Sequence, residues 1–165
     1  SLGFAGFNDT LQFGGSLEAG YRARYVFHVD GFNVGPGTMA DMSVTIAGNN
    51  EQFFAFDQGY NNTIWATQSY EINGITPQEI AVQFSTQVVN DTWLYEDGIT
   101  FSGVSDFSST LVLDHIEVID ANGDLVTSGV TLSSASGTQY NMVPEPASMM
   151  ALSLGAVALL RRRKK

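Results

Sequence analysis

Asp120, Asn122 and Asp124 place three oxygen-bearing side chains within five residues. Calcium takes six to eight oxygen ligands, so such a cluster is a candidate cation loop. It departs from an EF-hand, because Gly123 stands fourth rather than sixth and Thr131 occupies the place of the closing Glu. Turn chemistry accounts for the same residues, since Asp and Asn hydrogen-bond their own backbone around an Asn-Gly centre. No cofactor is expected, with Ca²⁺ at this loop the one candidate. A second acidic group, Glu96-Asp97 with Asp91 and Asp106, reads as solvated loops. His28 and His115 are the only imidazoles, and both sit in strand patterns with no Cys or second His nearby. Neither has a Gly-x-Ser-x-Gly neighbour, so a Ser-His-Asp hydrolase has no support. A glycosidase needs two carboxylates at a defined separation, which abundance alone does not supply. Trp65, Trp93, Tyr60, Tyr70 and Tyr95 could form a sugar-stacking platform, although core packing is the favoured account of aromatics in a sheet protein. Asn8, Asn61 and Asn90 each begin an Asn-x-Thr triplet, the acceptor pattern for glycosylation and a frequent chance occurrence in such loops.

The charges are divided unevenly along the chain. Five of the seven Lys+Arg lie at 161–165, and sixteen of the seventeen Asp+Glu lie before residue 143. Only Arg22 and Arg24 remain to offset those sixteen, leaving the body at −14 with no lysine. A surface of that sign repels phosphate backbones, which excludes nucleic acid as a partner. There is no cysteine, hence no disulfide framework, thiolate metal site or thiol nucleophile. Stability must come from the core, and about 140 residues suffice to bury one.

The elements that hold these residues read as strands. Tyr21, Ala23, Tyr25, Phe27 and Val29 alternate with Arg22, Arg24, Val26, His28 and Asp30, the period-2 signature of a half-buried strand. Met42, Val44 and Ile46 repeat the pattern up to Gly48-Asn49-Asn50, and Gly31 to Gly37 reads as a loop. Phe53–Phe56, Thr63–Ile72 and 81–90 follow, the last expected to be the longest strand. Thr76-Pro77 is expected to open one helical turn. Glu96-Asp97-Gly98 predicts a hairpin. Ser109–Leu113 and His115–Ile119 read as two strands, and Val130–Ser134 as the last. In residues 1–20, Phe4, Phe7 and Phe13 alternate with five glycines, which predicts short edge strands joined by tight turns. About ten short strands with turn chemistry between them, and no stretch of helical period, predict an all-β fold. The expected architecture is an antiparallel β-sandwich, jelly-roll-like, over residues 1–142, followed by a short C-terminal hydrophobic helix.

That helix lies in the last 23 residues, which differ from everything before them. Val143-Pro144-Glu145-Pro146 leads into Ala147 to Leu160, where no side chain is charged. The chain then stops at Arg161-Arg162-Arg163-Lys164-Lys165. As a helix, Ala147 to Leu160 spans roughly 21 Å at about 1.5 Å per residue, short of the ~30 Å hydrocarbon core of a bilayer. Terminal cations snorkel to headgroups and stay on the cytoplasmic side, which places the body across the membrane. Pro144 and Pro146 lack amide donors and hold Glu145 in an extended spacer suited to a protease. The chain begins at Ser1 rather than Met, and removal of an N-terminal secretory segment is expected.

A Pro-Glu-Pro triplet, a short apolar stretch and an Arg/Lys cluster, in that order, resemble the PEP-CTERM sorting signal of bacterial surface proteins. The resemblance implies processing near the triplet by an exosortase-type membrane protease. It implies a transient inner-membrane stage and then release or transfer to the cell surface or its polysaccharide matrix. Phe107 through Asp120-Ala-Asn-Gly-Asp to Tyr140 is more loosely similar to the closing strands of such proteins. The expected function is therefore a non-enzymatic, exported surface or extracellular-matrix protein with a structural or adhesive role. Two alternatives stand beside it: a self-assembling subunit of an extracellular filament or sheath, in which residues 1–20 add to a neighbour's sheet edge, and a carbohydrate-binding matrix protein.

Overall fold

Strict alternation of apolar and polar residues puts one face of each strand against a shared core. The computed structural model describes residues 2–34, 38–56, 59–88 and 104–142. Among these are eight strands: β1 Leu2–Gly15, β2 Arg22–Val34, β3 Thr38–Ile46, β4 Asn49–Phe56, β5 Gly59–Glu71, β6 Gln78–Val88, β7 Val104–Ile119 and β8 Val130–Ser134. They form two antiparallel sheets, one in the order β4-β3-β6-β1-β8 and one in the order β5-β2-β7. One core joins them. Leu11, Phe13, Met42, Val44, Ile46, Ile80 and Val82 come from the first sheet, and Tyr25, Phe27, Val29, Ile116 and Val118 from the second. Full burial of side chains such as Phe27 and Met42 stabilises the fold by about 1.5–3 kcal/mol each. The fold is all-β, as the alternation predicts.

Several strands are longer than their patterns suggest, and bulges are the reason. β7 is one strand rather than two. Its register against β2 slips between Val26 and Phe27, where Asp114 is the extra residue, so the alternation breaks without the strand ending. β2 likewise continues through Gly31 to Val34, past a slip beside Asp30. This makes β7, at 16 residues, longer than β6, at 11. Leu2–Gly15 forms one continuous strand between β6 and β8, not a set of short edge strands. Glycine is tolerated there because backbones approach closely: a Cβ on Gly6 would lie 2.5 Å from the Val82 carbonyl oxygen.

β3 and β4 meet at a two-residue turn, Ala47-Gly48, with φ of 49° and 81°. Both values are positive, as a type I′ hairpin requires. Asn49 and Asn50 therefore open β4 rather than end β3. No helical turn forms at Thr76. The Asn73 side chain accepts the amides of Ile75 and Thr76 at 3.2 and 2.7 Å, and this substitutes for the first turn of a helix.

Candidate functional site

A sandwich has two open sides, and its polar side chains gather where those sides are closed. On the first side β5 bulges against β2, with Thr67 and Gln68 together opposite Tyr25. At the bulge Thr67 Oγ1 accepts Tyr25 N–H at 3.1 Å. Gln68 N–H is turned outward and donates to Glu51 of β4 at 2.9 Å. Tyr70 O–H also donates to Glu51, and Phe53 of β4 stacks on Trp65 of β5 with ring centroids 5.4 Å apart. Burial first, and then the Glu51 carboxylate, push the Tyr70 hydroxyl well above the usual phenol range.

The second side is closed by the segment after β8, here termed the strap, residues 135–142. It leaves the first sheet with Ala135 N–H donating to the Thr10 carbonyl at 2.9 Å. It reaches the second with Ile116 N–H donating to the Asn141 carbonyl at 2.9 Å, and Met142 bridges Ile116 in parallel. Tyr140 and Met142 pack against the core on the way. Midway the strap is fixed by Asp9, whose side chain is only 8% exposed. Asp9 Oδ1 accepts the amides of Thr10 and Ser136 at 2.8 and 3.1 Å. Its Oδ2 accepts the hydroxyls of Ser136 and Tyr140 at 2.6 and 2.8 Å. Burial alone pushes the carboxyl up, but these four donors outweigh it and hold the group at about 2. Burial first, and then the same contact, raise Tyr140 to about 12.

Shallow grooves of about 640 and 560 Å³ lie on either side of Asp9. Glu79 borders the first groove and Asp114 the second. Asp114 Oδ2 lies 2.7 Å from His115 Nδ1, and Glu117 Oε1 lies 3.6 Å from Nε2. Both imidazole nitrogens thus face carboxylates rather than a hydroxyl nucleophile. Glu117 also takes the guanidinium of Arg24, with Nε donating at 2.6 Å. His28 lies on the outer face of the same sheet, with Nε2 buried and without a hydrogen-bond partner.

The Asp120 loop binds its own backbone. Asp120 Oδ1 accepts the amides of Asn122 and Asp124 at 2.8 and 2.9 Å, and Oδ2 accepts from Asn122 Nδ2 at 3.2 Å. Those bonds, the Asp124 amide first, hold the Asp120 carboxyl below the usual range. Among the described residues no group of three or more His, Cys, Asp or Glu side chains converges in a geometry to hold a metal. Trp65 has one face covered by Phe53, and Tyr70 is engaged with Glu51. Asp91, Trp93, Tyr95, Glu96, Asp97 and the whole tail from Val143 to Lys165 lie outside the described residues, as does the expected C-terminal helix. Among the described residues no helix is long and apolar enough to cross a membrane.

The sequence reading missed the Asp9 cluster. Asp9 and Ser136 are 127 residues apart, a distance at which no local pattern registers. The one available signal was an acidic residue at an inward position of an otherwise uncharged Phe/Gly strand. The strap ends at Met142, and the next residue begins the part of the chain that comparison with known families explains. Residues 143–164 match the PEP-CTERM protein-sorting motif. No curated protein and no solved structure matches the chain. The motif supports an exported protein, sorted to the cell surface or beyond through an exosortase-type protease in the membrane. Val143, Pro144, Glu145 and Pro146, the stretch Ala147 to Leu160, and the cations through Lys164 all fall within the match.

Proposed function

We propose that the chain is a non-catalytic structural or adhesive protein of the bacterial surface or extracellular matrix, delivered there by its C-terminal signal. On this reading residues 1–142 are the working module, a jelly-roll-like sandwich. Ala147 to Leu160 is a short apolar helix that holds the module at the inner membrane, with Arg161 to Lys165 on the cytoplasmic side. An exosortase-type protease acts near Pro144-Glu145-Pro146. The observation that carries the reading is the junction itself: the matched motif begins one residue after a strap whose polar groups are spent on closing the sandwich. A body built this way is a closed unit suited to being delivered whole, and its acidic surface keeps it soluble after release.

Glu145→Ala in the native cell tests delivery. The expected result is an unprocessed, membrane-held chain whose intact mass exceeds that of the wild-type surface form by the missing tail. Equal masses for the two would reject processing at this motif. Loss of cohesion between cells or within the matrix on deleting the chain, restored by the wild type but not by Glu145→Ala, is the expected sign of the structural role.

A further inference from the structure

We infer that the outer edge of β1 from Leu2 to Asn8 is a pairing site for the same edge of a second copy of this chain. β6 covers one side of β1 over Leu2–Leu11, whereas β8 covers the other only over Leu11–Gly15. Because Thr10 gives its carbonyl to Ala135 on the β8 side and the register against β6 is unbroken, the even-numbered residues point outward. Leu2, Phe4, Gly6 and Asn8 therefore offer their amides and carbonyls to no strand among the described residues.

Sheet proteins blunt such edges with charge, proline, bulges or brevity. The other outer strands here follow that rule: β8 has five residues, β5 and β7 carry register breaks, and β4 carries Glu51, which ties it to β5. Leu2 to Asn8 has no charge, no proline and no break, and Phe4 is 76% exposed. The partner follows from charge. The body carries −14, so two copies repel wherever their carboxylates meet, and this stretch is an uncharged edge that is also self-complementary. Asp9 sets the limit by taking the outward amide of Thr10, so pairing stops at Asn8. Antiparallel pairing that uses every free group puts Leu2 of one copy opposite Asn8 of the other, Phe4 opposite Gly6, and Ala5 opposite Ala5 on the two-fold axis. Four such pairs exchange about eight backbone hydrogen bonds. This gives the structural reading above its partner. The test reads pairing alone, so a negative result removes the partner and leaves the sorting and processing experiment untouched.

The chain has no cysteine, so a single introduced thiol reports cleanly. In the paired state two Ala5 Cα atoms face each other at about 4.5 Å, within reach of a disulfide. The full chain carrying Ala5→Cys, in detergent micelles under mild oxidation, is expected to give a covalent dimer. Gln52→Cys on β4 is expected to stay monomeric. Adding Phe4→Pro to Ala5→Cys removes an outward donor at a position where proline is sterically allowed, and is expected to cut the dimer by about tenfold or more. Phe4→Lys, which leaves the backbone unchanged, is expected to act in the same direction, with unaltered circular dichroism. Absence of the Ala5→Cys dimer, equal yields from Ala5→Cys and Gln52→Cys, or a dimer indifferent to both Phe4 substitutions would each overturn the inference.

Discussion

At the residue scale the chain concentrates its electrostatics in Asp9. Four donors converge on this carboxylate from β1 and the strap, and the charged form is favoured strongly enough to hold the group at about 2 against its burial. A carboxyl depressed in the folded state stabilises the fold fully above its unfolded value of 3.8, and that contribution disappears as pH falls toward 2. The contribution is of the order of 1 kcal/mol after screening by solvent. The Tm of the wild type is therefore expected to fall between pH 4 and pH 2. The fall should be smaller in Asp9→Asn, which has no charge to lose and begins from a lower Tm at neutral pH. Thermal melts of both proteins at matched pH check this, and parallel curves would assign the acid sensitivity to other carboxylates. Glu51 plays the corresponding part on the opposite side, where the bulge in β5 frees the Gln68 amide for it.

At the element scale the stored strain lies in the β3–β4 hairpin. Ala47 adopts φ of 49°, a conformation that costs an L residue with a Cβ about 1–2 kcal/mol and that Asn tolerates better. Ala47→Asn keeps the amide that donates to the Glu79 carbonyl. The substitution is expected to stabilise the fold by about 0.5–1 kcal/mol, a rise in Tm of roughly 2–4 °C. Calorimetry checks it, and an unchanged or lower Tm would show that the turn carries no such strain. The same hairpin shows what the sequence reveals. Met42, Val44 and Ile46 announce β3 and its buried face, because burial of alternate side chains is a local property. Strand length is less local. Asp114 breaks the alternation of β7 through a bulge that only the pairing with β2 explains, and the glycines of β1 suggest turns until the backbone of β6 is placed beside them. At Thr76, a cap followed by proline suggests a helix, but the Asn73 side chain competes for the same amides. The Asp9 cluster joins two stretches neither of which names the other, so it becomes visible only once the sheets are stacked. The sorting signal is the reverse case, legible because its parts are contiguous and its chemistry is carried by composition.

At the scale of the whole molecule, the strap lies directly before the sorting motif, which predicts that the stability of the sandwich affects the processing of the tail. Among the described residues the strap's final backbone contact is the Asn141 carbonyl, which accepts Ile116 N–H, and the matched motif starts at Val143. Only Val143 to Pro146 separate the bridged Met142 from the uncharged stretch, a reach of roughly 13 Å at about 3.3 Å per residue. A protease working at the membrane surface on an extended substrate needs several residues on each side of the bond it cuts. The residues on the amino-terminal side are those that close the sandwich. Release of the strap would therefore precede the cut, and the release equilibrium would set the observed rate. Asp9→Ala removes the acceptor for two amides and two hydroxyls and weakens the strap by about 1–3 kcal/mol, which shifts that equilibrium by about 5- to 150-fold. In a pulse-chase of the native cell, the processed form of Asp9→Ala is expected to appear faster than that of the wild type. Its body should retain the β-sheet circular dichroism of the wild type, since the core side chains are untouched. Equal rates would mean that the protease takes the motif with the strap still docked, and would place its substrate-binding surface against the folded edge formed by β1 and β7.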